Sequence, residues 1–188
     1  KKRKPISLDN LKILQERCVV MDDDLRHLVS LISDTGMRLS EAAGLMNSDI
    51  NLDCNYPHIV ITPYPHRSLK TMASERIIPL VGKSLWAARR VVETTDSLYC
   101  FPRYTSSSGC NANSASAAIN KWIKTVADSD AVIHGLRHSF RDRLRAVEAP
   151  SEVVDQLGGW SLKTVGQGYG DGYKVEILSK WLEKIVIQ

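Results

Sequence analysis

Residues 133–149, "IHGLRHSFRDRLRAVEA", combine an apolar stripe with a dense set of basic side chains. At 100° per residue, four apolar residues fall on one side of a helix, at the spacing of a face that packs on a core: Leu136, Phe140, Leu144 and Val147. Five basic residues fall on an adjoining face: His134, Arg137, His138, Arg141 and Arg145. The pattern predicts a helix with one buried face and a second face that meets a negatively charged group.

A further candidate cation, Arg38, lies in "TGMRLSEAAGL" at residues 35–45. Guanidinium groups stay charged near neutral pH and donate paired hydrogen bonds, so two of them suit the two non-bridging oxygens of a phosphodiester. We predict that Arg38 and Arg137 bind such a group, with His134 as a further donor. Glu41, one helical turn after Arg38, is placed to orient its guanidinium. The alternative is that Arg38 only caps a helix or pairs with Glu41.

Three segments in this order resemble the catalytic domain of the tyrosine recombinases, the phage integrase family. The first matches T-G-x-R-x-x-E-x-x-x-L and makes Arg38 the first catalytic arginine. The second matches H-x-L-R-H and assigns His134 and Arg137. The third, "LGGWSLKTVGQGY", stands where the family usually has L-L-G-H followed by a tyrosine nine residues on. Here Trp160 replaces that histidine, a variant known in the family, and Tyr169 follows at the expected spacing.

The resemblance implies a reaction. Tyr169 would attack phosphorus, form a covalent 3′-phosphotyrosine and release a 5′ hydroxyl, with neither a metal nor a cofactor. The indole N–H of Trp160 donates hydrogen bonds but cannot shuttle protons, which limits this residue to positioning and packing. Tyr173 is the competing nucleophile, but the nine-residue spacing favours Tyr169.

The family also supplies a proton to the leaving strand from a lysine at the tip of a β-hairpin. In "PHRSLKTMASERIIPL" this position matches Lys70. The tip varies in length among members, so the alternatives are Lys83, beyond the second strand, and no lysine at all.

A metal site is not predicted from the histidines. His134 and His138 have the i, i+4 spacing of a metal-binding pair, but no glutamate completes an HExxH motif, and Arg137 between them would repel a cation. The four cysteines show no CxxC spacing, so we expect free thiols.

The elements that must position these residues are mostly helical. Hydrophobic periodicity predicts helices over about residues 7–18, 22–33, a short one from 40, then 83–93, 111–127, 135–147, 151–157 and 174–187. Two strands, residues 58–62 and 75–80, form a hairpin with a long tip. The predicted class is therefore mostly α with a small antiparallel β-sheet. The apolar last helix packs on its own domain or, as is common in the family, on the next protomer.

Bulk properties agree with one ordinary domain. The chain has 188 residues, 43% of them hydrophobic and 24% charged, and its net charge of +4 fits an anionic partner. We expect residues 1–188 to form a single catalytic domain, with 1–6 as a linker or tail and the DNA-clamping domain of the family absent from this chain. No signal peptide or membrane-spanning run is visible.

The resemblance implies a phage or prophage integrase that recombines DNA site-specifically. Its partners would be double-stranded DNA and three further copies, as a homo-tetramer on two DNA sites, in the cytoplasm of a bacterial host near the nucleoid and without a membrane. Two alternatives stay open: a type IB topoisomerase, which shares the chemistry, and a non-catalytic DNA-binding regulator.

Overall fold

The computed structural model describes residues 3–160 and 171–188. Eight helices lie within these residues: α1 Leu8–Met21, α2 Asp24–Ser33, α3 Leu39–Ala43, α4 Gly82–Thr94, α5 Ala112–Val126, α6 Gly135–Ala146, α7 Ser151–Gly158 and α8 Val175–Glu183. Short strands accompany them: β1 Ile50–Asn51, β2 His58–Ile61, β3 Arg76–Pro79, β4 Thr105–Ser106 and β5 Gly109–Cys110. The predicted fold class is confirmed, and each predicted helix is present.

Side-chain caps define where several helices begin. Ser7, Asp23 and Asn111 each accept a hydrogen bond from the backbone N–H three residues further on. Such caps satisfy donors that have no partner inside the helix. At the other end of α1, Asp22 adopts a left-handed conformation with φ +46°. The chain therefore turns from α1 into α2 within two residues.

Helix α2 is the centre of the molecule. It is buried from Leu25 onward apart from Arg26, and it contacts α1, α3, α4, α5 and α6. Asp34, directly after α2, forms an ion pair with Arg143 of α6, with 2.6 Å between Oδ1 and Nη2. This ion pair fixes the end of α2. The residues that follow, 35–38, therefore start from a rigid position.

The predicted core face of α6 is confirmed. Leu136, Phe140 and Leu144 are fully buried, and Val147 lies half-buried at the edge of the core. Gly36 has φ +65° and lies so close to the Phe140 ring that a Cβ there would overlap it. Only glycine fits this turn, which packs the residues before Arg38 directly against α6.

The hairpin predicted with a long tip is present. Strand β2 pairs antiparallel with β3, and Ile59 faces Ile78 across the ladder. The connection, residues 62–75, includes a 3-10 turn at Met72–Ser74. Strand β1 adds a third, unpredicted strand beside β2, and β4 and β5 form a second hairpin in a region predicted as loop. These unpredicted strands are only two residues long, too short for an alternation pattern.

The last helix packs on its own chain. Leu178 and Leu182 of α8 and Ile185 beyond it are buried, and Arg143 Nη2 donates to the Ile185 carbonyl over 2.7 Å. The helix ends at Glu183 instead of about residue 187, so the prediction of its length was wrong. The apolar residues beyond it, Ile185, Val186 and Ile187, pack on the core after the helix has ended. No helix in residues 3–160 or 171–188 has the length and apolar content needed to cross a membrane.

Candidate active site

The C-terminal end of α7 holds three arginines from three different elements. The carbonyls of residues 157, 158 and 159 accept, in that order, from Arg76 Nε, Arg137 Nη1 and Arg38 Nη2, over 2.9, 2.9 and 3.3 Å. Carbonyls at a helix C-terminus lack partners within the helix and carry partial negative charge. Three consecutive carbonyls therefore bring β3, α6 and the start of α3 to one point.

Two glycines shape this helix end. Gly159 is left-handed with φ +61°, and the N–H groups of Gly159 and Trp160 bond back to the carbonyls of residues 155–156. This is a glycine-terminated helix end of the Schellman type. A Cβ on Gly158 would overlap the Trp160 ring, and one on Gly159 would meet the Arg76 guanidinium. The sequence "GGW" is therefore the form that lets the indole lie over the helix end and the arginines reach its carbonyls.

Arg38 is the N-cap residue of α3 and also part of this cluster. Its Nη1 donates to Glu41 Oε1 at 2.8 Å and to Ser74 Oγ at 2.9 Å, while Nη2 donates to the residue 159 carbonyl. Arg38 therefore pairs with Glu41 and occupies the N-cap position, but its side chain makes no capping hydrogen bond. These bonds involve only part of the Arg38 guanidinium, because its Nε and one Nη2 hydrogen have no acceptor among the described residues.

Arg137 is buried without an acid. It is 4% exposed, and its Nη1 donates to the carbonyls of Gly36 and Gly158 over 2.6 and 2.9 Å. In the part of the chain that the structure describes, no carboxylate forms an ion pair with it, and neither Nε nor Nη2 has a hydrogen-bond acceptor. Burial, and then the neighbouring charge of Arg38, lower the pKa of Arg137 to about 9. The group is a cation at neutral pH, in a position where an anion would relieve both effects.

Glu41 and Arg76 form the buried support behind Arg38. Arg76 Nη1 and Nη2 donate to the two carboxylate oxygens of Glu41 over 3.2 and 3.0 Å, and both side chains are 3% exposed. Burial raises the pKa of Glu41, but the charge and hydrogen bonds of Arg76, with those of Arg38, outweigh it, so the net pKa lies below the ordinary value. Glu41 therefore stays ionised and orients Arg38, as predicted from its spacing.

Trp160 lies against two guanidinium groups of α6. The guanidinium carbons of Arg137 and Arg141 stand 4.6 and 3.9 Å from the centroid of its ring. Because Arg137 and Arg141 are four residues apart on α6, one indole spans both. Cation–π contacts of this kind hold Arg137 in place without neutralising its charge.

His134 directly precedes α6 and lies three residues before Arg137; its side chain makes no capping hydrogen bond. Its ring is half-buried and meets His138 edge-to-face, with ring centroids 5.1 Å apart. Burial, followed by the charges of Arg3 and His138, lowers the pKa of His134 to about 4. The imidazole is therefore neutral at pH 7 and has one N–H to donate and one nitrogen to accept.

Lys70 is exposed and lies in the connection between β2 and β3, as predicted. Four residues later in the same connection, Ser74 bonds to Arg38, so the lysine is on a segment that touches the arginine cluster. The alternative lysine, Lys83, lies in the first turn of α4, outside this connection.

Tyr169 lies outside the described residues. Among the described residues after it, the Tyr173 backbone pairs with the Gln156 side chain of α7: Tyr173 N–H donates to Gln156 Oε1 over 2.8 Å, and Gln156 Nε2 donates to the Tyr173 carbonyl over 2.9 Å. The competing residue, Tyr173, is thus fixed through its backbone to the side of α7.

Sequence reasoning missed the support residues Arg76, Ser74 and Arg67. Arg76 shares the buried face of β3 with Ile78, two residues on, and a charged residue at an inward position of a strand signals a buried ion pair. Ser74 and Arg67 lie in an irregular connection, where periodicity makes no statement about burial. Both are buried, and no sequence signal pointed to them.

Taken together, these residues define a cationic site suited to a phosphodiester, carried on a mostly helical domain. The chain belongs to the phage integrase family, whose family model matches residues 9–174. The predicted resemblance is thereby confirmed. No curated protein matches the sequence.

Solved structures with the same fold are recombinases and a transposon integrase. XerA recombinase superposes with a TM-score of 0.65 at 18% identity, over 96% of this chain and 58% of that one. XerH site-specific recombinase, bound to a palindromic difH substrate in a post-cleavage complex, gives 0.59 at 18% identity, over 86% and 48%. The Tn1549 transposon integrase, in complex with circular intermediate DNA, gives 0.56 at 15% identity, over 89% and 64%. The chain therefore spans about half to just under two thirds of these proteins, and the likeness shows the fold.

Proposed function

We propose that the protein is a site-specific recombinase, a phage or prophage integrase, that cleaves and rejoins DNA through a covalent 3′-phosphotyrosine. The observation that carries this proposal is Arg137. A buried guanidinium whose hydrogen-bond acceptors, within the described residues, are all carbonyls is costly beside a second guanidinium unless an anion completes the site. A DNA phosphodiester provides that anion, and family membership favours it over other anions.

The phosphate would be bound by the hydrogen-bond donors that have no acceptor among residues 3–160 and 171–188. Arg38 offers Nε and one Nη2 hydrogen, and Arg137 offers Nε and Nη2. The neutral His134 adds one N–H. The two guanidinium groups are already held in place through their other N–H groups, by backbone carbonyls and by Glu41. They therefore need little reorganisation when charge increases in the transition state.

The chemical step is a transfer of the phosphoryl bond. Tyr169 Oη bonds to phosphorus, the bond from phosphorus to the 5′ oxygen breaks, and the Lys70 ammonium gives a proton to the departing oxygen. The phenolic proton passes to solvent. Trp160 packs against Arg137 and keeps it in place. Because the phosphotyrosine conserves the energy of the phosphodiester bond, rejoining requires no nucleotide cofactor.

The partner would be double-stranded DNA, and strand exchange would use four copies on two DNA sites. Support for DNA comes from the family and from the XerH and Tn1549 integrase structures, which are DNA complexes. Because the chain spans less than two thirds of those proteins, recombination by the whole protein is part of the proposal. So are a single catalytic domain at residues 1–188, with 1–6 as linker, and action on DNA in a bacterial cell.

Covalent capture tests this function. The protein is incubated with a pool of nicked duplexes of random sequence, and complexes that survive SDS are recovered and their duplexes sequenced. We expect a covalent complex that Tyr169→Phe abolishes. The matched control is Tyr173→Phe, four residues away, which should leave the complex intact.

Two results would contradict the proposal in different ways. A complex lost in Tyr173→Phe and retained in Tyr169→Phe would identify Tyr173 as the nucleophile. No complex at all, with DNA retained on the protein before SDS, would favour a DNA-binding regulator.

A further inference from the structure

Hydrogen bonds hold the connection that carries Lys70 against α3 and Arg38 at two points, one before the lysine and one after it; we call these points fastenings. Its first fastening is the turn from Tyr64 to Arg67, closed by two reciprocal backbone hydrogen bonds of 3.0 Å. Arg67 is 3% exposed, and its Nη1 donates to the Glu41 carbonyl over 2.9 Å. His66 Nε2 bonds to the Gly44 carbonyl over 2.9 Å. The turn is thereby held on α3, the helix that begins after Arg38.

The second fastening is Ser74, four residues after Lys70. Its side chain is fully buried, and its hydroxyl accepts a hydrogen bond from Arg38 Nη1 over 2.9 Å. The same hydroxyl shares a 3.1 Å hydrogen bond with Thr71, directly after the lysine. The Ser74 carbonyl accepts from Arg76 Nη1 over 2.6 Å.

Between the two fastenings, the chain has little freedom. Only residues 68–73 separate Arg67 from Ser74, and Leu69 within them packs on the core. The hydrogen-bonded pair of Thr71 and Ser74 therefore fixes the backbone next to Lys70 relative to the Arg38 guanidinium. In catalysis, a donor misplaced by about 1 Å can lose roughly 100-fold in rate.

We propose that Ser74 is a positioning residue: its hydroxyl locks the Lys70 segment to Arg38, so that the ammonium stands at the leaving oxygen of the phosphate that Arg38 binds. This inference rests on the proposed function. The hydroxyl of Ser74 bonds to Arg38 and to Thr71. Its effect passes through Lys70, and this separates it from a residue that only holds Arg38, which Glu41 and the residue 159 carbonyl still fix when the hydroxyl is removed.

The leaving group distinguishes these roles. A departing 5′ alkoxide resembles hydroxide, a strong base, and so needs a proton. A departing 5′ thiolate, with a conjugate pKa near the ~8.5 of a simple thiol, does not. In a duplex with sulfur in place of the bridging 5′ oxygen, the bond from phosphorus to sulfur breaks and the thiolate leaves without protonation. Defects that act through Lys70 should then disappear.

The experiment measures single-turnover cleavage of the captured duplex in its oxygen and sulfur forms. We expect Lys70→Ala to be slowed roughly 100-fold or more on oxygen, in line with loss of a general acid. Ser74→Ala should be slowed roughly 10- to 100-fold. On the sulfur duplex both variants should cleave within about threefold of the wild type, as expected when no proton transfer limits the rate.

The matched control is Ser33→Ala, which removes another buried hydroxyl; this one bonds to Gln15 and to the Ser30 carbonyl instead of to Arg38. It should cleave both duplexes like the wild type. The melting temperature of each variant shows whether it folds, and its duplex binding shows whether it still binds DNA.

The outcomes separate this inference from the function on which it rests. If Lys70→Ala recovers on sulfur but Ser74→Ala stays slow, Ser74 does not act through the lysine and the inference is overturned. If Ser74→Ala cleaves the oxygen duplex at the wild-type rate, it is overturned as well. If the wild type cleaves neither duplex, the proposed function fails first.

Discussion

Arg137 and Arg143 lie six residues apart on α6, are 4% and 6% exposed, and have opposite roles. Arg143 faces a buried acid: its Nη2 lies 2.6 Å from Asp34 Oδ1, and it also donates to the carbonyls of Ser33 and Ile185. Arg137 donates to two carbonyls and meets no carboxylate in the described part of the chain. One helix thus carries a completed ion pair and a cation that lacks its anion.

The difference separates structural from functional burial. A buried ion pair satisfies itself, and removing either partner leaves a charge exposed to a low-dielectric interior. A buried cation held by carbonyls and by an indole face stays charged and is open to an incoming anion. The same residue type therefore stabilises the fold at one position and, as we propose, binds an anion at the other.

The largest expected effect is on stability, at Arg143. Arg143→Met leaves Asp34 buried without its partner, so we expect the free energy of unfolding to fall by about 3–5 kcal/mol. Arg137→Met, the same substitution on the same helix, should lower it by a smaller amount, about 1–2 kcal/mol, because it leaves two carbonyls without this donor but no buried acid unpaired. Urea unfolding of the wild type and of the two variants measures the change in the free energy of unfolding. Equal losses in both variants would remove the contrast.

The next effect is on cleavage, at Arg137. Arg137→Met removes a preorganised donor from the phosphate, so we expect single-turnover cleavage of the captured duplex to slow by roughly 10²–10³-fold. Because Arg143 does not contact the site, Arg143→Met should cleave normally below its melting temperature. A cleavage defect confined to Arg143→Met would reverse the assignment of the two arginines.

A smaller effect is stabilisation by a simple anion. Sulfate at about ten times its dissociation constant should raise the free energy of unfolding by about 1.4 kcal/mol through binding at the arginine pair. Thermal unfolding with added sulfate reports this, and sodium chloride at equal ionic strength serves as the control. Arg137→Met should lose the increment. If it gains as much as the wild type, the anion binds elsewhere.

The smallest effect is a pH dependence at His134. Burial and the charges of Arg3 and His138 lower its pKa from 6.5 to about 4. Between these values the unfolded chain binds more protons than the folded one. The contribution of His134 to the free energy of unfolding is therefore fully present above pH 6.5, declines as the pH falls and levels off below about pH 4. His134→Gln should remove that part of the slope, measured by urea unfolding across the window. An identical slope in the variant would show that His134 titrates normally.

Periodicity predicted the frame of the site because it reports burial directly. The face of Leu136, Phe140 and Leu144 oriented α6, and the spacing of Arg38 from Glu41 predicted their contact. Residue patterns also identified the two arginines that the fold brings to consecutive carbonyls of α7.

What sequence could not predict depends on contacts across long separations. The bond from Arg38 to Ser74 spans 36 residues, and that from Arg76 to the Leu157 carbonyl spans 81. Neither leaves a local pattern. Nor does the sequence of α6 show that Arg143 is the arginine that meets an acid, because that acid, Asp34, lies 109 residues away in the chain.

The most direct test removes the charge of the phosphate instead of that of the protein. A captured duplex is made with a methylphosphonate at the scissile position, where a methyl group replaces one charged non-bridging oxygen, and cleavage by wild type and Arg137→Met is compared. If Arg137 is held without an acid in order to meet that charge, the variant's defect on the phosphate duplex should largely vanish on the methylphosphonate. An undiminished defect on the uncharged duplex would show that the cation serves some other purpose.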